Sequence, residues 1–224
     1  TRVGKRTGVA AVRIAVDMVK EGLISKKEAL QRIGPDQLAQ YLYPIFDAKE
    51  ESQCTPLGKG LPAGPGAAAG KVALTADRAV EMQAAGNRVV LVRQETSPDD
   101  IHGMNAALGF LTARGGMTSH AAVVARQMGK VCVAGCEAIE VLDNQTVRIG
   151  TQTFREGDYL SVNGSTGNVY GGDIPVVESE VIQVLQGKME ASASEKYQMF
   201  ESVLKWADGV RKLKVRANAD VPDQ

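Results

Sequence analysis

The chain has 224 residues, with 26 Lys+Arg against 26 Asp+Glu, 44% hydrophobic residues and 24 Gly, but only one Trp, five Tyr and four Phe. Balanced charge without a Lys/Arg cluster removes the electrostatic footprint of a nucleic-acid binder, and so few aromatics argue against base stacking. No apolar run reaches the roughly 18 residues of a membrane span, and charges interrupt the N-terminal stretch where a signal peptide would be apolar. The expectation is a soluble intracellular protein, of the cytoplasm or an organelle, with no membrane and no nucleic-acid partner.

In chain order the first fifty residues read as helices. Val9, Val12, Ile14, Val16 and Val19 lie among small and charged residues up to Gly22; Ser25 and Glu28 form an S-x-x-E capping box before Ala29, Leu30 and Ile33; a third short helix follows Pro35. A polar stretch, 47–53, leads into GLPAGPGAAAGKV, which places a boundary near residue 55. Beyond it, strands are predicted at 71–74, 88–92, 107–113 and 131–134, with helices over 77–86, from the acidic start near Ser97-Pro98, and over 119–128, which Gly129 stops. Residues 146–149, 159–162 and 168–170 read as β with glycine turns between them. After Pro175 the chain turns helical again and ends in a strand over 212–220 that has no local partner. An unpaired terminal strand and an unmarked start give the expectation of an excerpt from a larger protein. The division expected is 1–55 helical with a linker, 56–172 an independent α/β domain, and 173–224 helical with a first strand of something further.

Three cysteines cannot all pair, and Cys132 and Cys136 lie in an apolar strand and turn, so they read as reduced structural thiols; Cys-x-x-x-Cys without a second cluster does not make a metal site. Asn144-Gln145-Thr146 and Asn163-Gly164-Ser165 match the glycosylation sequon by chance. The glycine-rich stretch is one residue short of G-x-x-x-x-G-K and has Val72 where Ser or Thr should follow, so it is a small-residue turn into a strand, not a phosphate loop.

Chemistry points to one of the two histidines. In TARGGMTSHAAVVAR an apolar strand runs through Gly115-Gly116 into a helix capped by Thr118 or Ser119, so His120 falls in the first turn. The positive helix end there favours a neutral imidazole with a free lone pair, and would welcome an anion such as a phosphoryl group beside the Thr118 and Ser119 hydroxyls. Gly116 and its neighbour allow close backbone approach. The residues alone leave two readings open, a histidine that caps a turn and a nucleophile or general base. His102, with no evident carboxylate beside it, reads as exposed or locally hydrogen-bonded.

The run GGMTSHAAVVAR, preceded by ETSPDDIHGMNAALGFLTAR and followed by MGKVCVAGC, resembles the phosphohistidine motif of the pyruvate, phosphate dikinases, within the wider family of phosphoenolpyruvate-utilising enzymes. GLPAGPGAAAGKV resembles the start of the same mobile domain, TRVGKRTGVAAVRIAVDMV the end of an ATP-binding part, and VRANAD the start of a pyruvate-binding barrel. Phosphoenolpyruvate synthase and the sugar-phosphotransferase enzyme I look similar here but typically carry Arg where Met117 stands. The resemblance implies an α/β fold with a swivelling β/β/α phosphohistidine domain between helical segments, and hinge linkers at 47–56 and 173–210. It implies interconversion of ATP, phosphate and pyruvate with AMP, pyrophosphate and phosphoenolpyruvate. His120 would be the carrier, supported by Gly116, Thr118 and Ser119. Thr118 would be a possible site of regulatory phosphorylation, and Arg2 a contact to nucleotide phosphates. The partners implied are the ATP-binding and barrel domains of the same chain and a second subunit in a homodimer. Mg2+ would be bound outside this chain, which has no metal site of its own and should be inactive alone. The alternatives are a synthase that uses water in place of phosphate, and a non-catalytic docking module.

Overall fold

The computed structural model describes residues 6–143 and 145–213. They divide into two units, residues 42–179 and a helical unit built from the described parts of the stretches on either side.

Helix α1 (Gly8–Lys20) begins at Thr7, whose hydroxyl accepts from the Ala10 N–H, and buries Val12 and Val16 at the i, i+4 spacing of one face. Helix α2 (Lys26–Arg32) starts at Ser25, whose Oγ accepts from Glu28 N at 3.2 Å, as the capping pattern predicts. Helix α3 (Pro35–Ala39) has Pro in its first turn.

The middle unit then runs β1 (Ile45–Phe46), α4 (Ala48–Gln53), β2 (Gly58–Lys59), β3 (Leu61–Gly64), β4 (Ala67–Ala73), α5 (Ala76–Ala84), β5 (Val89–Arg93), α6 (Ile101–Ala106), β6 (Gly109–Thr112), α7 (His120–Met128), β7 (Val131–Ala134), β8 (Ile139–Val141), β9 (Thr146–Ile149), β10 (Gln152–Arg155), β11 (Tyr159–Asn163), β12 (Asn168–Gly171) and β13 (Val176–Val177). Eight strands form one sheet in the order β2-β12-β11-β4-β5-β6-β7-β3, and β10-β9-β8 form a second, antiparallel one. Strands β4 to β7 are mutually parallel, with a helix before each of β5, β6 and β7, while β11, β12, β2 and β3 join antiparallel.

Strand alternation divides the core. Val90 and Val92 of β5 pack with Leu111, Val133, Ile149 and Phe154 against the small sheet, whereas Val89 and Leu91 pack with Met104, Phe110, Ala122 and Ala125 against α5, α6 and α7. The result is a β/β/α sandwich. Both predicted structural thiols are buried and free, Cys132 in the helix-side core and Cys136 in the sheet-side core. Burial pushes the Cys132 thiol up to about 12 and raises Cys136 as well.

The unit is wider than the domain expected from sequence. Phe46 pairs with Val176 and Ile45 with Val177, and Asp47 N donates to Pro175 O, so both connecting segments belong to it. The polar stretch 47–53 is a helix capped by Asp47. One Glu51 carboxylate oxygen accepts from Asn163 Nδ2 at 2.7 Å and from the Tyr170 hydroxyl at 2.9 Å, which fastens α4 to the β11–β12 hairpin. Burial, followed by the contact with Glu51, raises the Tyr170 phenol despite the opposing Asn168 hydrogen bond.

Helices α8 (Glu180–Leu185) and α9 (Glu195–Val210) complete the helical unit, whose core includes Val12, Val16, Tyr41, Val181, Phe200 and Val203. Burial alone would raise the Glu180 carboxyl, but hydrogen bonds from Lys196 and Ser194 outweigh it and hold the group low. Lys212 and Leu213 lie in no strand; the remainder of the expected strand to 220 lies outside the described residues, as does Arg2.

Candidate functional site

The carboxyl ends of β5 and β6 lie side by side, with Arg93 opposite Thr112 in the parallel register. The two chains remain joined after the strands end, since Ala113 N donates to Arg93 O at 3.1 Å and Arg114 N to Gln94 O at 2.8 Å. This brings together two loops that are separate in sequence: 94–97, which carries Thr96, and 113–119, which leads into α7.

Ser119 is the N-cap of α7, with its Oγ accepting from Ala122 N, so His120 is the first helical residue. The His120 ring is half-buried, and Thr96 Oγ1 lies 3.1 Å from its Nδ1. Among the described residues Nε2 has no hydrogen-bond partner. Where Nδ1 carries the proton, Thr96 accepts it and the Nε2 lone pair is left for chemistry.

The loop before His120 is built by close backbone approach. Gly115 adopts φ +115°, where a side chain is strained, and a Cβ there would stand 2.9 Å from Ser119 Cβ. A Cβ on Gly135, at φ +63°, would stand 2.4 Å from the Gly115 carbonyl oxygen. Gly135 and the next residue are themselves fixed to β6: Cys136 N donates to Thr112 O at 2.9 Å and Gly135 N to Thr112 Oγ1 at 3.4 Å. Arg126 Nη2 donates to Met117 O at 2.8 Å, which closes the loop against the helix.

Of the residues singled out in the sequence, Ser119 and His120 stand together at the helix start. A Cβ at Gly116 would meet nothing within 4 Å, so the close approach lies at Gly115. Thr118 is exposed, and its hydroxyl does not take the cap position that Ser119 fills. His102 does have a carboxylate neighbour, with Nε2 2.9 Å from Asp77 Oδ1 in the first turn of α5, a pairing the sequence gave no reason to expect. Thr96 was missed because ETSPDDI is legible locally as a helix start and says nothing of a ring 24 residues on. No three His, Cys, Asp or Glu side chains gather as a metal site among the described residues, and no helix there is long and apolar enough to cross a membrane.

The family described as "PEP-utilising enzyme, mobile domain" matches residues 85–167, from the approach to β5 through β11 and the turn after it. Over that stretch the chain is similar to the phosphoenolpyruvate-utilising enzymes. Over all 224 residues it is 51% identical to a pyruvate, phosphate dikinase of Clostridium symbiosum, of which it covers 24%. Over 99% of its length it is 48% identical to the chloroplastic pyruvate, phosphate dikinase 1 of Arabidopsis thaliana and 45% identical to the Giardia intestinalis pyruvate, phosphate dikinase, covering 22% and 23% of those proteins. The chain thus spans about a quarter of the length of these relatives, and its likeness to them extends beyond the mobile domain into the helical unit.

Proposed function

We propose that this chain is the phosphoryl-carrying part of a pyruvate, phosphate dikinase, with His120 Nε2 as the nucleophile. The observation that carries this is a histidine ring on the first turn of a nine-residue helix, engaged at Nδ1 by Thr96 and open at Nε2. In the direction of charging by phosphoenolpyruvate, the Nε2 lone pair forms the P–N bond while the P–O bond to the enolate breaks. The ring gains positive charge, which the Nδ1–H···Oγ1 contact with Thr96 stabilises. Free N–H groups of the helix start and the exposed Thr118 hydroxyl are groups that would suit the new phosphoryl oxygens.

In this reading the domain swivels between a nucleotide site, where ATP and phosphate are converted to AMP and pyrophosphate, and a site that interconverts pyruvate and phosphoenolpyruvate. Both sites, the Mg2+ they use and Arg2 as a phosphate contact belong to regions beyond the described residues, and the whole protein would act as a homodimer. The Glu51 clamp and the β1–β13 pair support a body that turns as 42–179, with the rotation absorbed outside it. Phosphorylation of exposed Thr118 would place a dianion two residues from His120 and repel an incoming phosphate.

Intact-mass spectrometry of the full-length protein, incubated with phosphoenolpyruvate and Mg2+, tests this. One acid-labile phosphoryl group, absent from His120→Ala, is expected; a wild type that gains none, or a variant that gains it equally, overturns the assignment. Release of pyrophosphate with consumption of phosphate separates a dikinase from a synthase.

A further inference from the structure

The turn after Thr96 is held by an ion pair between buried Asp100 and half-buried Arg93. Asp100 is 5% exposed, and its two oxygens have separate partners. Oδ1 lies 3.3 Å from Arg93 Nη2, while Oδ2 accepts from Ser97 N at 2.9 Å and lies 3.4 Å from Ser97 Oγ. Ser97 O in turn accepts from Asp100 N at 3.0 Å, so the turn is closed from both ends. Arg93 Nη1 donates to Leu74 O at 3.0 Å, tying the pair to the end of β4. Thr96 is the residue immediately before this turn. Its Oγ1 lies 3.1 Å from His120 Nδ1.

We propose that Asp100, held by Arg93, is the positioning residue that keeps Thr96 against His120 Nδ1 and so determines which ring nitrogen takes the phosphoryl group. The proposal rests on the reading of His120 as the carrier. A buried ion pair is commonly no more stable than the apolar residues that could replace it. Here it fixes a direction, since the carboxylate holds one turn by a backbone N–H, a contact that an apolar side chain could not make. When the turn loosens, Thr96 moves off the ring, Nδ1 becomes as available as Nε2, and the stabilisation of the charged ring is lost.

The test is a double-mutant cycle in the full-length protein: wild type, Asp100→Asn, Thr96→Val and the double variant. Single-turnover charging by phosphoenolpyruvate gives the rate, and isomer-selective phosphohistidine antibodies report which nitrogen is occupied. A residue acting through Thr96 slows charging by about tenfold in the wild-type background and by less than about twofold once Thr96 is already Val, because misplacement by a fraction of an ångström is already costly and cannot be inflicted twice. The Nδ1 isomer appears in Asp100→Asn. Equal slowing in both backgrounds, or a pure Nε2 product at the wild-type rate, overturns the proposal while leaving the carrier role intact. A wild type that never charges sinks the carrier reading and the proposal with it. If Asp100→Asn fails to fold by circular dichroism, Arg93→Gln carries the same cycle with the same criteria.

Discussion

Two glycines of nearly equal φ provide a controlled measurement of how the histidine loop is held. Gly129, the C-cap of α7, has φ +64°, and Gly135 has φ +63°. An alanine at either position pays the left-handed penalty of roughly 1–2 kcal/mol. A Cβ at Gly129 meets nothing within 4 Å, whereas a Cβ at Gly135 stands 2.4 Å from the Gly115 carbonyl oxygen, so one backbone must move. Overpacking of that kind adds about 1–3 kcal/mol. Gly135→Ala is therefore expected to lose about 2–5 kcal/mol and Gly129→Ala about 1–2, read from denaturant midpoints at constant m-value. Because the group displaced is the backbone five residues before His120, Gly135→Ala should also slow charging by phosphoenolpyruvate, by up to about 100-fold, while Gly129→Ala stays near wild type. Equal stability losses together with equal charging rates would refute the idea that Gly115 and Gly135 hold the loop by contact.

Thr96→Val removes the ring's Oγ1 partner at nearly constant volume; the lost contact, stronger for a ring gaining charge, should slow single-turnover charging about tenfold, and Thr96→Ser should restore most of it. Glu51→Ala leaves the Tyr170 hydroxyl and Asn163 amide without their acceptor, costing about 1–3 kcal/mol, and hydrogen exchange across 48–53 should quicken while β5 and β6 stay protected. Iodoacetamide should modify half-exposed Cys54 in the native protein and reach Cys132 and Cys136 only on unfolding, a pattern peptide mass mapping would show. The Cys132 thiol has its ordinary value of 9.0 raised to about 12 in the fold. Its contribution to stability is thus complete below about pH 9 and is lost as pH climbs towards 12, and urea midpoints across that window should decline less steeply in Cys132→Ala.

How much of this was legible in the sequence depends on the range of the interaction. The Ser25 cap with Glu28 is decided within four residues and follows from the spacing alone, whereas before the apolar face of α7 the sequence offers Thr118 or Ser119 and the structure selects Ser119. The apolar runs of β5, β6 and β7 are legible because both faces are buried, which makes the strands continuously hydrophobic. Short edge strands are another matter: β2, β3 and β10 contain Gly, Pro, Gln and Arg and owe their conformation to a partner strand, so no local pattern marks them. The same holds for α4, whose six residues are too few to be helical on their own and are held by Asp47 and by Glu51 reaching across to Asn163 and Tyr170.

The site divides along the same line. His120 stands out in the sequence after a Gly-Gly turn and at a helix start, but Thr96 beside its ring and Gly135 against Gly115 lie in the connections that follow other strands. Thr96 meets it only because β5 and β6 are parallel neighbours ending at the same level, and Gly135 meets Gly115 only because the chain leaving β7 is held at Thr112. Parallel neighbours cannot be joined by a tight turn, so the partners of a group at the carboxyl end of one strand come from connections a full helix away in sequence. A local motif can therefore single out a candidate histidine in such a site, while the groups packed around it become visible only once the order and register of the strands are known.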